Sequence, residues 1–92
     1  MISSFKCRDT EALFKGRRTP RFVNIERVAL RKLNQLHIAD RIDDLRIPPN
    51  NRLESLHGDR VGQWSIRINE QWRLCFRFEN SVAYDVEIVD YH

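Results

Sequence analysis

The last third of the chain alternates apolar and polar side chains along three successive segments. The apolar positions are Trp64, Ile66 and Ile68, then Trp72, Leu74, Phe76 and Phe78, and finally Tyr84, Val86 and Ile88. A period of two residues is typical of strands that bury one face. The short polar stretches "NEQ" and "ENS" separate the segments. The sequence therefore predicts a three-stranded antiparallel meander with one apolar and one polar face.

The middle of the chain has the period of a helix. Ile25, Ala29, Leu33 and Leu36 recur at spacings of four, four and three, which is the stripe of an amphipathic helix that begins near Val23. A further helical turn is predicted around "DRIDDLR", ended by the two prolines that follow it. The next stretch, "PPNNRLESLHGDRVG", is rich in turn formers and polar residues, so it predicts a long loop.

The first residues predict a short strand followed by a short helix. Ile2 to Phe5 form the strand, and "DTEALF" begins the helix with Asp9 or Thr10 as its N-cap. Gly16 ends this helix within "KGRRTPR". The same stretch collects four basic residues in one loop, called the basic loop below: Lys15, Arg17, Arg18 and Arg21.

These elements predict an α+β fold with the order β-α-α-β-β-β, in a single domain that spans residues 1–92. The helices can cover their apolar stripes only against the apolar side of the sheet, so both should pack on one face of an antiparallel sheet. The other face is expected to be open to water. It carries five charged residues: Arg67, Arg73, Arg77, Asp85 and Glu87.

Composition narrows the possible partners. The net charge is +3, and 13 of the 16 basic residues are arginine. Because a guanidinium matches phosphate oxygens, a phosphate-bearing partner and a salt-bridged surface are both open. No apolar run is long enough to span a bilayer and no export signal is visible, so we expect a cytoplasmic protein without membrane contact. Cys7 and Cys75 lack the spacing of a disulfide framework or a zinc site and are interpreted as inert thiols.

The polar sheet face and the end of the chain hold the candidate chemistry. Arg73 and Arg77 either pair with carboxylates across the strands, or one of them offsets the charge that develops on a phosphorane during RNA cleavage. The last predicted strand carries Asp90, Tyr91 and His92 to the rim of that face. These three are either ordinary surface residues or groups that exchange protons and stack on a base.

The loop before the sheet adds Glu54 and His57, which are either solvated or lie at the same rim. Transfer of a proton from an RNA 2′-hydroxyl to a departing 5′-oxygen requires a base, an acid and a cation. It requires no metal or other cofactor. Glu54 or His57, Tyr91 or His92, and Arg73 are the candidates for these three roles.

The segment "RLxxLxGxRxGxWSIRIxxQWRxxF" and the ending "VEIVDYH" resemble the HigB toxins of the RelE superfamily, the plasmid-maintenance killer proteins of bacterial type II toxin–antitoxin pairs. The resemblance spans essentially the whole chain. It implies an endoribonuclease that cuts messenger RNA in the decoding site of the ribosome, without a metal, and so inhibits translation and growth. The family's C-terminal acid, tyrosine and histidine correspond to Asp90, Tyr91 and His92, and its sheet arginine corresponds to Arg73.

The resemblance also implies a partner. This is a HigA-like antitoxin with a helix-turn-helix, which inhibits the toxin and represses the shared operon, so that operator DNA is contacted only through the antitoxin. The basic loop is then expected to contact the RNA backbone, because cations bind phosphates without reading sequence.

One departure from the family pattern bears on activity. Well-studied relatives carry a histidine and a lysine in the loop before the sheet, and this chain has Glu54 and His57 at those places. The alternative to an active nuclease is therefore a weak or inactive member that pairs with an antitoxin or RNA. A gyrase-poisoning toxin of related fold is disfavoured by the "DYH" ending.

Overall fold

The computed structural model describes residues 1–90, and the predicted α+β class is confirmed. Its helices are α1 (Arg8–Phe14) and α2 (Glu26–Ile38), and its strands are β1 (Glu54–Ser55), β2 (Trp64–Arg67), β3 (Trp72–Glu79) and β4 (Val82–Asp90). Four 3-10 helices connect them: η1 (Pro20–Phe22), η2 (Ile42–Arg46), η3 (Pro49–Asn51) and η4 (Gly58–Arg60). The strands form one antiparallel sheet in the order β1-β2-β3-β4. Within these residues neither α-helix has the length and apolarity needed to cross a bilayer.

The stripe predicted for α2 is confirmed. Ile25, Ala29, Leu33 and Leu36 are all buried and belong to the main core. The helix packs against β3 and β4. Full burial of a leucine-sized side chain contributes about 1.5 to 3 kcal/mol relative to leaving it exposed, so this stripe is what holds α2 on the sheet.

The predicted N-cap of α1 is wrong. Cys7 occupies the N-cap position, and Asp9 and Thr10 lie in the first turn. Thr10 is fully buried, and its Oγ1 accepts a hydrogen bond from the backbone N–H of Ile88 in β4 at 3.0 Å. The hydroxyl therefore joins the helix to the sheet instead of capping the helix. Gly16, at a φ of +84°, ends the helix region as predicted.

The predicted first strand is reduced to two isolated bridges. Ile2 pairs in parallel with Ala83, and Phe5 pairs in parallel with Val86. Between them the hydroxyl of Ser4 accepts from the backbone N–H of β4 at Asp85, at 2.9 Å. Backbone hydrogen bonds join the segment to β4 at Ala83 and at Val86, and the Ser4 side chain adds a bond between these two bridges.

A bulge in β4 changes which side chains face the core. Cys75 is opposite Glu87 and Arg77 is opposite Tyr84, so β4 has one more residue than β3 between these pairs. Asp85 lies in the bulge with a φ of +53°. The assignment of Tyr84 to the apolar face is therefore wrong. Its ring lies beside Arg77, with the guanidinium carbon 5.1 Å from the ring centre.

The stretch predicted as one long loop contains more structure than expected. It includes η3, η4 and the short strand β1, which pairs with β2 through Glu54 and Ser65. Asn51 anchors its first part because its fully buried side chain donates to the backbone oxygen of Leu45 at 3.1 Å. Its amide oxygen accepts from the ammonium of Lys32 in α2. Such side-chain anchors are long-range and leave no periodic signal in the sequence.

We expect Thr10→Val to destabilise the protein by about 1 to 3 kcal/mol, because the buried N–H of Ile88 loses its acceptor. The free energy of unfolding in urea measures the effect. Thr19→Val is the matched control, since Thr19 is also buried but its hydroxyl makes only a long contact of 3.5 Å to the Arg17 carbonyl. Equal losses in the two variants would contradict the proposed role of Thr10.

Candidate functional site

The polar face of the sheet is covered, which corrects the expectation that it is open to water. Arg60 of η4 donates to the carboxylate of Glu87 in β4 at 3.0 Å, although β2 and β3 lie between β1 and β4. Leu56 and Cys75 are buried but lie outside the main core. The segment from β1 to β2 therefore folds across the polar face and encloses its central part.

Arg73 lies on the predicted face but does not face water. Only 8% of the residue is exposed. Its Nε donates to the Ser65 hydroxyl at 2.8 Å, and its Nη2 donates to the Arg52 carbonyl at 2.7 Å. Since these acceptors come from β2 and from the turn before β1, the guanidinium is fixed in position by two separate parts of the chain.

Glu54 is the acidic candidate that the fold brings to Arg73. Its carboxylate oxygen lies 4.0 Å from Nη2 of Arg73, and 52% of its side chain is exposed. A carboxylate that is near a fixed cation and open to solvent is accessible to a substrate. The fold therefore places a candidate base beside a candidate phosphate-binding cation.

The predicted cross-strand pairing is confirmed for Arg77, whose Nε donates to Asp85 at 2.9 Å. Glu87 is held differently, by Arg60 and at 3.9 Å by Lys6. The hydrogen bond from Arg77 to Asp85 raises the pKa of the guanidinium further. Arg77 is therefore held by Asp85 on the surface of the sheet. Of these two arginines, Arg73 is the one with a candidate base beside it.

Asp90 lies at the same end of the sheet as Arg73. It is opposite Trp72, while Arg73 is opposite Val89. The Gln71 side-chain amide donates to its carboxylate at 3.1 Å. Tyr91 and His92 lie outside the described residues, so their part in the site stays a prediction from the sequence.

His57 is an exposed residue at the N-cap of η4. The backbone N–H of Leu56 donates to the carbonyl of Gln63, the residue before β2, at 2.9 Å. His57 therefore lies at the end of the sheet where β2 begins. Arg73 and Asp90 lie at the other end, where β2 finishes. Among the described candidates, the fold therefore places Glu54, and not His57, beside Arg73.

The basic loop is partly neutralised by α1. Lys15 pairs with Glu11 at 3.2 Å, and Arg21 pairs with Asp9 at 3.8 Å. The guanidinium of Arg21 also lies 5.6 Å from the ring centre of Trp72, the residue opposite Asp90. Arg17 and Arg18 are exposed. The loop thus reaches the end of the sheet where the candidate site lies.

Ser65 and the carbonyl of Arg52 are parts of the site that the sequence analysis did not identify. The sequence pattern could have identified Ser65, because this serine alternates with Ile66 and so shares the polar face with Arg73. The alternation of apolar and polar residues carries no information about the Arg52 carbonyl. It is oriented by a left-handed backbone conformation, with a φ of +45°, at the end of η3.

The thiol of Cys75 fits the interpretation of an inert group. It is fully buried between the strands, and burial raises its pKa, an effect that the nearby Arg60 opposes. Since the thiolate is the reactive form, a raised pKa makes this thiol a poor nucleophile. Cys7 is partly exposed.

Comparisons with known proteins identify similar bacterial toxins. A family model described as the RelE-like toxin of the type II toxin–antitoxin system HigB matches residues 4–92. The chain is 40% identical over 85 residues to Toxin HigB-1 of Vibrio cholerae, with 90% of each chain covered. It is 35% identical to Endoribonuclease HigB of Proteus vulgaris over the full length of both.

Solved structures show the same fold at low sequence identity. YafQ from E. coli superposes with a TM-score of 0.62 at 15% identity, covering 98% of this chain and 91% of that one. The toxin–antitoxin complex YoeB-YefM from Staphylococcus aureus has a matching chain with a TM-score of 0.62 at 17% identity, covering 100% and 98%. These likenesses concern the fold alone.

We expect Ser65→Ala to lower the free energy of unfolding by about 1.5 to 3 kcal/mol, because the Arg73 guanidinium loses a buried acceptor. Ser55→Ala in the neighbouring strand is the control, since Ser55 is exposed and such changes usually stay within about 0.5 kcal/mol. Chemical denaturation of both variants gives the comparison. If Ser65→Ala were as stable as the control, the serine would not be an anchor of Arg73.

Proposed function

The chain belongs to the HigB-like toxins of type II toxin–antitoxin systems, and we propose that it cuts messenger RNA in the decoding site of the ribosome with the groups around Arg73. It is a toxin endoribonuclease that inhibits translation and growth. The observation that carries the choice of site is the guanidinium of Arg73, fixed beside Glu54 at the end of the sheet where β4 finishes.

Arg73 acts as the phosphate clamp. During cleavage the 2′-oxygen attacks phosphorus and negative charge builds on the phosphoryl oxygens. A donor that is already in place stabilises this charge without reorganising. The hydrogen bonds from Arg73 to Ser65 and to the Arg52 carbonyl support this role, because they hold the guanidinium before any substrate arrives.

Proton transfer needs one group to take the 2′-hydroxyl proton and another to protonate the 5′-oxygen as its bond to phosphorus breaks. The products are a 2′,3′-cyclic phosphate and a 5′-hydroxyl end. We assign the base to Glu54, because its exposed carboxylate lies beside Arg73. We propose Tyr91 or His92 as the acid that protonates the 5′-oxygen. Asp90, which precedes them in the sequence, ends β4. No metal or other cofactor takes part in these steps.

Partners follow from the family. A type II toxin is paired with an antitoxin, and we propose a HigA-like helix-turn-helix protein that also connects the complex to operator DNA. The ribosome and its message are the target, which places the toxin in the cytoplasm as one domain of residues 1–92. The basic loop is proposed to contact RNA backbone, which the position of Arg21 over Trp72 supports.

A slow toxin or non-catalytic module is the second candidate. Glu54 replaces a histidine of the family, and its carboxylate partly neutralises the cation that would bind phosphate. His57 replaces the family lysine and lies away from Arg73 along the strand direction. Primer extension on a translated message, with and without the purified protein, decides between the two. Cuts within codons that need ribosomes support the nuclease.

We expect Glu54→Gln to lower single-turnover cleavage by at least about tenfold, because a base contributes about 100- to 10,000-fold when well placed. Ser55→Ala, the exposed neighbour in β1, should cut at the normal rate. Faster cleavage by Glu54→Gln would show that the carboxylate weakens the clamp and is not the base.

We expect His92→Gln to lower the same rate by at least about tenfold, allowing for partial replacement by Tyr91 in a shared network. Thermal melting checks that the variant folds. A variant that melts like the wild type and cuts ribosome-bound message at the full rate would remove His92 from the site.

A further inference from the structure

A second cationic surface lies outside the site described above. It is a cleft of about 470 Å³ between α2, η3 and the end of β2. Its charged lining residues are Arg31, Lys32 and Arg67, and its apolar lining residues are Val28, Pro48 and Ile68. We call it the cationic cleft. It combines positive groups with apolar walls in a concave surface.

The three cations of the cleft lack acidic partners within the described part of the chain. No carboxylate of residues 1–90 lies within 4.0 Å of the charged nitrogens of Arg31, Lys32 or Arg67. Several other arginines pair with carboxylates, as Arg77 does with Asp85 and Arg46 with Asp43. The cleft therefore concentrates positive charge that the protein itself does not neutralise.

The burial of the Lys32 ammonium beside other cations lowers the stability of the protein when no ligand is bound. Only 4% of the residue is exposed, and its ammonium donates to the neutral amide oxygen of Asn51. Burial lowers the pKa of Lys32, and the positive charge of Arg31 lowers it further. A buried charge without a counter-ion destabilises a fold, so an external anion would relieve an existing repulsion.

The position of the cleft relates it to the candidate site. Arg67 is directly opposite Arg73 in the pairing of β2 with β3, so the cleft opens at the same end of the sheet. A strand of RNA whose scissile phosphate lies at Arg73 must continue in one direction or the other. The cationic cleft offers positive groups to its phosphates, and the side chains of Val28 and Ile68 offer apolar surface to a ribose or base.

We propose that the cationic cleft is an RNA subsite, which binds the backbone phosphate of a nucleotide next to the cleavage position through Arg31 and Arg67. The inference rests on the proposed function, because it assumes that RNA is the substrate. Lys32 lies at the base of the cleft and adds positive potential. The basic loop and the cleft then contact different parts of the same strand.

The test measures fluorescence anisotropy of a short single-stranded RNA with 2′-O-methyl groups, which the protein cannot cut, over a series of salt concentrations. The test variant is Arg31→Gln/Arg67→Gln. The control is Arg41→Gln/Arg46→Gln, which removes the same charge from two exposed arginines that both pair with Asp43. Melting temperatures confirm that both variants fold.

We expect the cleft variant to bind at least about tenfold more weakly at low salt. Its salt slope should fall by about 0.7 for each phosphate that the protein no longer neutralises. The control should bind like the wild type. Arg31→Lys/Arg67→Lys keeps both charges and should recover most of the affinity.

Two outcomes contradict the RNA subsite, and a third contradicts the nuclease function independently of the subsite. A cleft variant that binds RNA like the control overturns the subsite. A variant that keeps RNA binding but no longer binds an acidic antitoxin peptide also overturns it, since the cleft is then a protein surface. If the wild type fails to cut translated message in primer extension, the nuclease function fails, whatever the cleft variant does.

Discussion

The guanidinium of Arg73 is a charge held almost out of contact with water, and much of the surrounding structure is arranged to keep it there. Removing such an ion from water costs several kcal/mol unless its donors are satisfied. The Ser65 hydroxyl and the Arg52 carbonyl satisfy two of these donors. The second acceptor is oriented by the left-handed conformation of Arg52, so one strained turn and one serine hold the same guanidinium.

The core fixes where this guanidinium lies relative to Asp90 at the end of β4. The stripe of α2 packs on β3 and β4, and the hydroxyl of Thr10 joins α1 to β4 at Ile88. Asp90 follows two residues later and is held opposite Trp72. Because β4 is tied to both helices, the end of the sheet is a rigid platform, and a site built on strands is positioned more accurately than one built on loops.

Periodicity predicted the elements whose side chains serve only local packing. The α2 stripe and strands β2 to β4 followed from it, as did the position of Arg73 on the polar face. It failed where a polar group has a distant partner, as with Thr10, which bonds to β4 instead of capping α1. It failed also at the bulge of Asp85, which moves Tyr84 to the polar face. A single positive φ changes the alternation without changing the residue pattern.

Composition left two explanations of the arginine content open, and different arginines fit each of them. Arg60 and Arg77 pair with carboxylates of the sheet and cover it, which is the salt-bridged surface that composition alone allowed. Arg31 and Arg67 have no carboxylate within 4.0 Å among the described residues, and they lie beside the end of the sheet where Arg73 is fixed. An arginine that is hydrogen-bonded to a carboxylate, such as Arg77, gains little from an added anion, whereas Arg31 and Arg67 would gain a partner that the described residues do not supply. Net charge alone therefore does not locate a phosphate-binding surface, because pairing decides which cations remain for a ligand.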